Sequence, residues 1–144
     1  MSKIILLSCV SQKKNVKCKA KDLYVSPLFC KAYKYAQKLN PDKIYILSAK
    51  HHLLELDDEI EPYNLTLNDM SEVEKKEWSQ MVLAEMRRKC DLDGDEFIFL
   101  AGSNYRKYLL PSIKNYKIPM EGLGIGRQLE WLTTQISMME SPLL

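Results

Sequence analysis

The residues best placed to do chemistry follow an apolar run. Ile44-Tyr45-Ile46-Leu47 gives way to Ser48-Ala49-Lys50-His51-His52, and Glu61-Pro62-Tyr63 comes shortly after. A lysine here would bind an anion or stabilise negative charge as it develops. His51 and His52, the 2 histidines of the chain, titrate near neutral pH and suit acid–base work. No matching ligand set accompanies them, so no metal is expected. A carboxylate close to Lys50 would orient water or stabilise a cationic sugar, as in glycosidic bond cleavage. Glu61 is the best-held acid, because Pro62 fixes its own φ and restricts the residue before it. Asp58 ranks below it, and Glu55, Asp57 and Glu59 read as a solvated acidic loop.

A second group lies near the N-terminus. Ser8-Cys9-Val10-Ser11-Gln12-Lys13-Lys14 follows another apolar run, and its hydroxyls and lysines suit a phosphate. Cys9 has no identifiable partner base and reads first as an inert thiol, with a nucleophile as the alternative. Lys13, Lys14, Lys17, Lys19 and Lys21 either grip a nucleic-acid backbone or form a solvated loop. Asp22 is the one acid among them, and Tyr24 would stack on a base or simply pack. Late in the chain, Gly122, Gly124 and Gly126 precede a helix with Arg127 in its first turn, an arrangement that favours an anion. The spacing is G-x-G-x-G, which is not the dinucleotide fingerprint.

Elements must hold these groups in place. Ile4 to Leu7, Ile44 to Ser48 and Glu96 to Ala101 read as strands, and Tyr116 to Met120 as a short fourth. Ser26-Pro27 is an N-cap with proline at the first helical position, followed by Leu28, Phe29, Ala32, Tyr35, Ala36 and Leu39 at helical spacing. Asn40-Pro41-Asp42 ends that helix. Residues 51–68 show no clear period and read as a long functional loop. Ser71 with Glu74 is a capping box for a second long helix, with Val73, Trp78, Met81, Val82 and Met86 as its apolar face. Gly102-Ser103 opens a short helix, and Leu129, Trp131, Leu132 and Ile136 line a last one. Strands alternating with helices predict a single α/β domain over residues 1–144. Its sheet is mostly parallel, three- to five-stranded, with helices on both faces. In such sheets ligands bind at the carboxyl ends of the strands, where Ser8 and Ser48-Ala49-Lys50 fall.

Composition narrows the class. An apolar fraction of 46% over 144 residues supports a real core without disulfides or a structural metal. A net charge of +2 does not demand a nucleic-acid partner. Cys9, Cys18, Cys30 and Cys90 form no C-x-x-C pair and read as reduced cytosolic thiols. No signal peptide or membrane-spanning run is expected, so the protein is placed in the cytoplasm, away from membranes.

The chain resembles a family of small bacterial and phage proteins through Ser8-Cys9…Lys13, Asp22-Leu23-Tyr24-x-Ser26, Ile46-Leu47-Ser48-Ala49-Lys50, Glu61-Pro62-Tyr63 and Leu123-Gly124-Ile125-Gly126. More distantly it is similar to the YaaA peroxide-stress family, which binds DNA and whose fold is related to uracil-DNA-glycosylase-like enzymes. One departure stands out: those relatives carry glycine where this chain has His52, so His52 must tolerate any positive φ there. YaaA-type proteins are also longer, with a DNA-binding helical element absent here. The resemblance implies a nucleobase- or nucleic-acid-processing enzyme, possible as a DNA glycosylase or a nucleoside hydrolase or transferase, linked to stress or phage defence. Lys50, Glu61 and Asp22 are then the catalytic candidates. Ser8, Cys9, Lys13, Lys14, Tyr24, Ser48, Tyr63, Gly124, Gly126 and Arg127 are the substrate-binding ones. No cofactor is expected, and the partner is nucleic acid, a nucleoside or a nucleotide. The alternative is a nucleic-acid or nucleotide-binding protein without catalysis. A third possibility is a stress-linked protein whose thiols react with oxidant.

Overall fold

Five strands form one sheet: β1 (Lys3–Ser8), β3 (Lys43–Ser48), β4 (His52–Glu55), β6 (Glu96–Leu100) and β7 (Tyr116–Lys117). Their order is β4-β3-β1-β6-β7. The computed structural model describes residues 1–8 and 13–140. β1 lies parallel to β3 and to β6, and β6 to β7, whereas β4 returns antiparallel to β3. The expected α/β domain with a mostly parallel sheet is present, and its strand count is the upper end of the expectation.

Side-chain alternation along β1 sorts the core into two clusters, since successive residues of a strand point to opposite faces. Ile5 and Leu7 pack with Ala20 and Leu23 of the short α1 (Ala20–Leu23), with Phe29, Ala32, Tyr35 and Ala36 of α2 (Pro27–Lys38) and with Leu132 and Ile136 of α5 (Ile125–Glu140). Ile4 and Leu6 pack with Trp78, Val82, Leu83 and Met86 of α3 (Glu72–Lys89). The four-residue spacing of 78, 82 and 86 makes one stripe on α3. Val73 and Met81 lie off it, 64% and 54% exposed, so they do not belong to the apolar face predicted for that helix.

Local signals act where the sequence places them. The Ser26 hydroxyl accepts from the Phe29 amide with Pro27 at the first position of α2. Ser71 and Glu74 form both bonds of the capping box. Asn40, at φ 51°, ends α2 in the left-handed region.

The segment 51–68 is not one long loop. Leu53 and Leu54 of β4 are buried, and Ile46↔Leu54 and Ser48↔His52 pair across the hairpin. His52 adopts φ 65°, the conformation for which glycine is the usual residue. Further on, β5 (Glu59–Ile60) pairs antiparallel with β2 (Cys18–Lys19), and the chain then makes a 3₁₀ turn at Leu67–Asp69. No helix among the described residues is long and apolar enough to cross a membrane.

Candidate functional site

Strand order fixes where a ligand fits. β1 leaves through α2 toward β3, while the chain crosses through α3 to β6 on the opposite side of β1. The carboxyl ends of β1 and β6 therefore open beside a topological switch point, the expected binding crevice of such sheets. A cavity of about 420 Å³ lies there. Ser8 enters it from β1, Leu100 from β6 with Gly102 just beyond that strand, Phe29 from α2 with its N-cap Ser26, and Gln128 from α5. Asn68 and Asn104 close another side, the Asn104 amide donating to Asn68 Oδ1 at 2.7 Å. The Gly102 amide donates to Ser8 Oγ at 3.1 Å, tying the two strand ends together.

Among the described residues, no Asp, Glu, Lys, Arg or His lines this cavity. Its polar groups are hydroxyls and carboxamides, and each carboxamide carries both donors and an acceptor. The Gln128 amide donates to the Leu123 carbonyl at 2.8 Å, which leaves its own carbonyl oxygen for a ligand. Apolar walls with a few donors and acceptors suit a flat, neutral, heteroatom-rich ring.

A different arrangement occupies the carboxyl end of β3. Ser48 is 1% exposed. Its hydroxyl accepts from the His51 amide at 3.0 Å and donates to the Tyr63 oxygen at 2.9 Å. Tyr63 and Tyr24 share a 2.5 Å hydroxyl–hydroxyl bond. Lys13 Nζ stands 4.6 Å from the centre of the Tyr63 ring, and the His51 ring meets that ring edge-on at 5.5 Å. Among the described residues, His51 Nε2 is buried without a hydrogen-bond partner. Burial pushes the His51 imidazole below its usual value; the charges of Lys50 and His52 push the same way, and Asp58 opposes them.

The two places touch. Tyr24 packs on Phe29 at 5.1 Å, and Phe29 lines the cavity. On the other side, Trp78 Nε1 donates to the Ser48 carbonyl at 2.9 Å and its ring meets Tyr105, another lining residue, at 5.6 Å.

The predicted site residues divide accordingly. Ser8 lines the cavity, whereas Lys13, Tyr24, Ser48 and Tyr63 form the cluster. Asp22, Lys50 and Glu61 are all exposed and bond neither to one another nor to any other described side chain. Their segments nonetheless converge, because the Tyr24–Tyr63–Ser48 bonds place each within two residues of the cluster. Lys14 is exposed. Gly124 precedes α5 and Gly126 falls in its first turn, yet neither lines the cavity; Arg127 faces a separate cleft beside Glu130 and Trp131. Cys9 lies outside the described residues. The lysine-rich stretch is partly neutralised, since Lys19 and Lys21 approach Asp57 at 3.7 and 3.6 Å across the β2–β5 ribbon.

Sequence reasoning missed Asn68, Asn104, Tyr105 and Gln128, and it took Ser26 only as a cap. The available signal was Gly102-Ser103 at the end of a strand. It gains meaning only once β6 is known to neighbour β1.

No curated protein matches this chain. A family model described as a family of unknown function, DUF6884, matches residues 4–134, and the chain belongs to that family.

Proposed function

We propose that this protein binds a nucleobase-bearing molecule in the β1/β6 crevice and acts on its N-glycosidic bond. The observation that carries the reading is the cavity itself: it sits at the switch point and offers amides and hydroxyls without a charged side chain among the described residues. The base occupies this neutral volume, and its edge meets Asn104 and Gln128. The sugar points toward the Tyr24–Tyr63 side, where Glu61 or Asp22 stabilises positive charge or orients water and Lys50 assists departure of the base. Support for the chemical half comes from the convergence of the three segments around Tyr63. In the same reading, α2 and α5 cover one face of the sheet and α3 the other, and the protein works in the cytoplasm.

The exposed, unbonded state of Asp22, Lys50 and Glu61 favours a second reading, nucleotide binding without turnover. Incubation with nucleosides, 5′-mononucleotides and oligonucleotides carrying normal and modified bases, followed by chromatography of free base, separates the two. Base release that falls at least a hundredfold in Lys50→Ala or Glu61→Ala is expected. Binding without release supports the second reading. Absence of release by the wild type, or full activity in both variants, sinks the first.

A further inference from the structure

A second cavity of about 330 Å³ adjoins the first, and Leu100, Ala101, Gly102, Ser103, Met120 and Gln128 line both. Its character differs in one residue. Arg106, at the end of α4 (Ser103–Arg106), lines the second cavity alone and is the only charged side chain among its described lining. Arg106 is half-buried, and its guanidinium donates through Nη1 to the Ala101 carbonyl at 2.7 Å. That bond fixes its direction and uses only part of its donor set. Arg106 pairs with no carboxylate among the described residues. The neighbouring cation behaves otherwise: Lys107 is bonded to Glu72 and neutralised. A partly desolvated cation with no counter-charge, held at the wall of a cavity, is an incomplete ion pair. A planar fork of donors is the group that best matches phosphate oxygens.

We propose that Arg106 is the anion-binding residue of this crevice and that the ligand is a mononucleotide, its base in the neutral cavity and its phosphate against Arg106. This rests on the nucleobase reading of the first cavity in its form without turnover, since a phosphate at Arg106 runs the sugar past Gln128 and away from the Tyr24–Tyr63 side. It transfers the phosphate from Lys13, Lys14 and Arg127, where the sequence pattern put it, to a residue no motif marked. Gln128 borders both cavities and lies between the two ends of the ligand.

Calorimetric titration of the whole protein with a nucleoside, its 5′-monophosphate, inorganic phosphate and a short oligonucleotide tests the assignment. The monophosphate is expected to bind about ten- to a hundredfold tighter than the nucleoside, the range of a charge-assisted hydrogen bond. Inorganic phosphate should compete with the monophosphate and leave the nucleoside in place. Arg106→Gln should remove the advantage of the monophosphate while nucleoside affinity stays within twofold. Arg106→Lys, which keeps the charge, should retain part of it and serves if the first variant fails to fold. Equal affinity for nucleoside and monophosphate, or an undiminished advantage in Arg106→Gln, overturns the role of Arg106 while leaving the nucleobase reading intact. Tighter binding of the oligonucleotide than of the monophosphate overturns the mononucleotide. Binding of neither nucleoside nor monophosphate overturns the nucleobase reading and, with it, this ligand.

Discussion

At the end of β3 and in the β1/β6 crevice, the chain assembles two polar sites of opposite kind. Around Tyr63 most polar atoms satisfy one another: the His51 amide, Ser48 hydroxyl, Tyr63 and Tyr24 form a continuous hydrogen-bonded series under the Lys13 ammonium, and among the described residues His51 Nε2 is the exception. Around Gln128 and Asn104 the same kinds of group are only partly engaged and border open volume. Residue type alone would rank the first as the active centre, because it holds the lysine, the histidine and the tyrosines. A closed series of bonds rigidifies and positions, whereas unmet donors and acceptors beside a cavity select a ligand. In the proposed reading the β3 cluster is the support and chemical edge of the site, and the crevice is its mouth.

Substitutions can break that contrast at several depths. Trp78→Ala reaches furthest, since Trp78 holds the Ser48 carbonyl and packs on Tyr105 in one side chain. A loss of about 3–5 kcal/mol in a denaturant melt is expected. A loss under about 1 kcal/mol would show that the two places are not mechanically joined. Tyr63→Phe comes next. It leaves the Ser48 and Tyr24 hydroxyls without that oxygen and should remove about 1–3 kcal/mol of stability, with nucleoside affinity within twofold. Affinity that collapses while stability holds would move the ligand to the β3 cluster.

Gln128→Ala gives the mirror image, with nucleoside affinity about tenfold weaker and stability within about 1 kcal/mol, since one bond to Leu123 is lost. The smallest effect is titration of His51. Its folded value lies below that of the unfolded chain, so the unfolded state takes up the proton first. This contribution is complete above a pH of about 6.5 and is lost as pH falls through the lowered folded value. A thermal melt series should decline over that window, and His51→Gln should flatten the decline; an unchanged profile in the variant would place the titration elsewhere.

Legibility followed the range of each interaction. Ser26-Pro27 and Ser71 with Glu74 could be read directly, because a cap bonds to an amide three residues away. β4 was not legible. Only Leu53 and Leu54 of its four residues are buried, and the hairpin position in the left-handed conformation carries His52, not the glycine that would mark it. The cavity was hidden more deeply still. Its polar lining comes from positions 8, 26, 68, 103–105 and 128, which share no regular spacing and meet only because β6 pairs with β1. Tyr24, Ser48 and Tyr63 were each readable as candidates, but their mutual bonds were not. Arg106 lay in a helix of four residues with no motif around it.

The strand order also places short, charged strands at both rims of the sheet. Both rims of the sheet are poor templates for a neighbour's strand. β7 offers two residues, one of them Lys117, and β4 ends at Glu55 between Lys43 and Lys89. Short, charged borders discourage edge-to-edge growth, so the long apolar strands β1, β3 and β6 stay in the interior of the sheet, shielded from cross-molecular pairing.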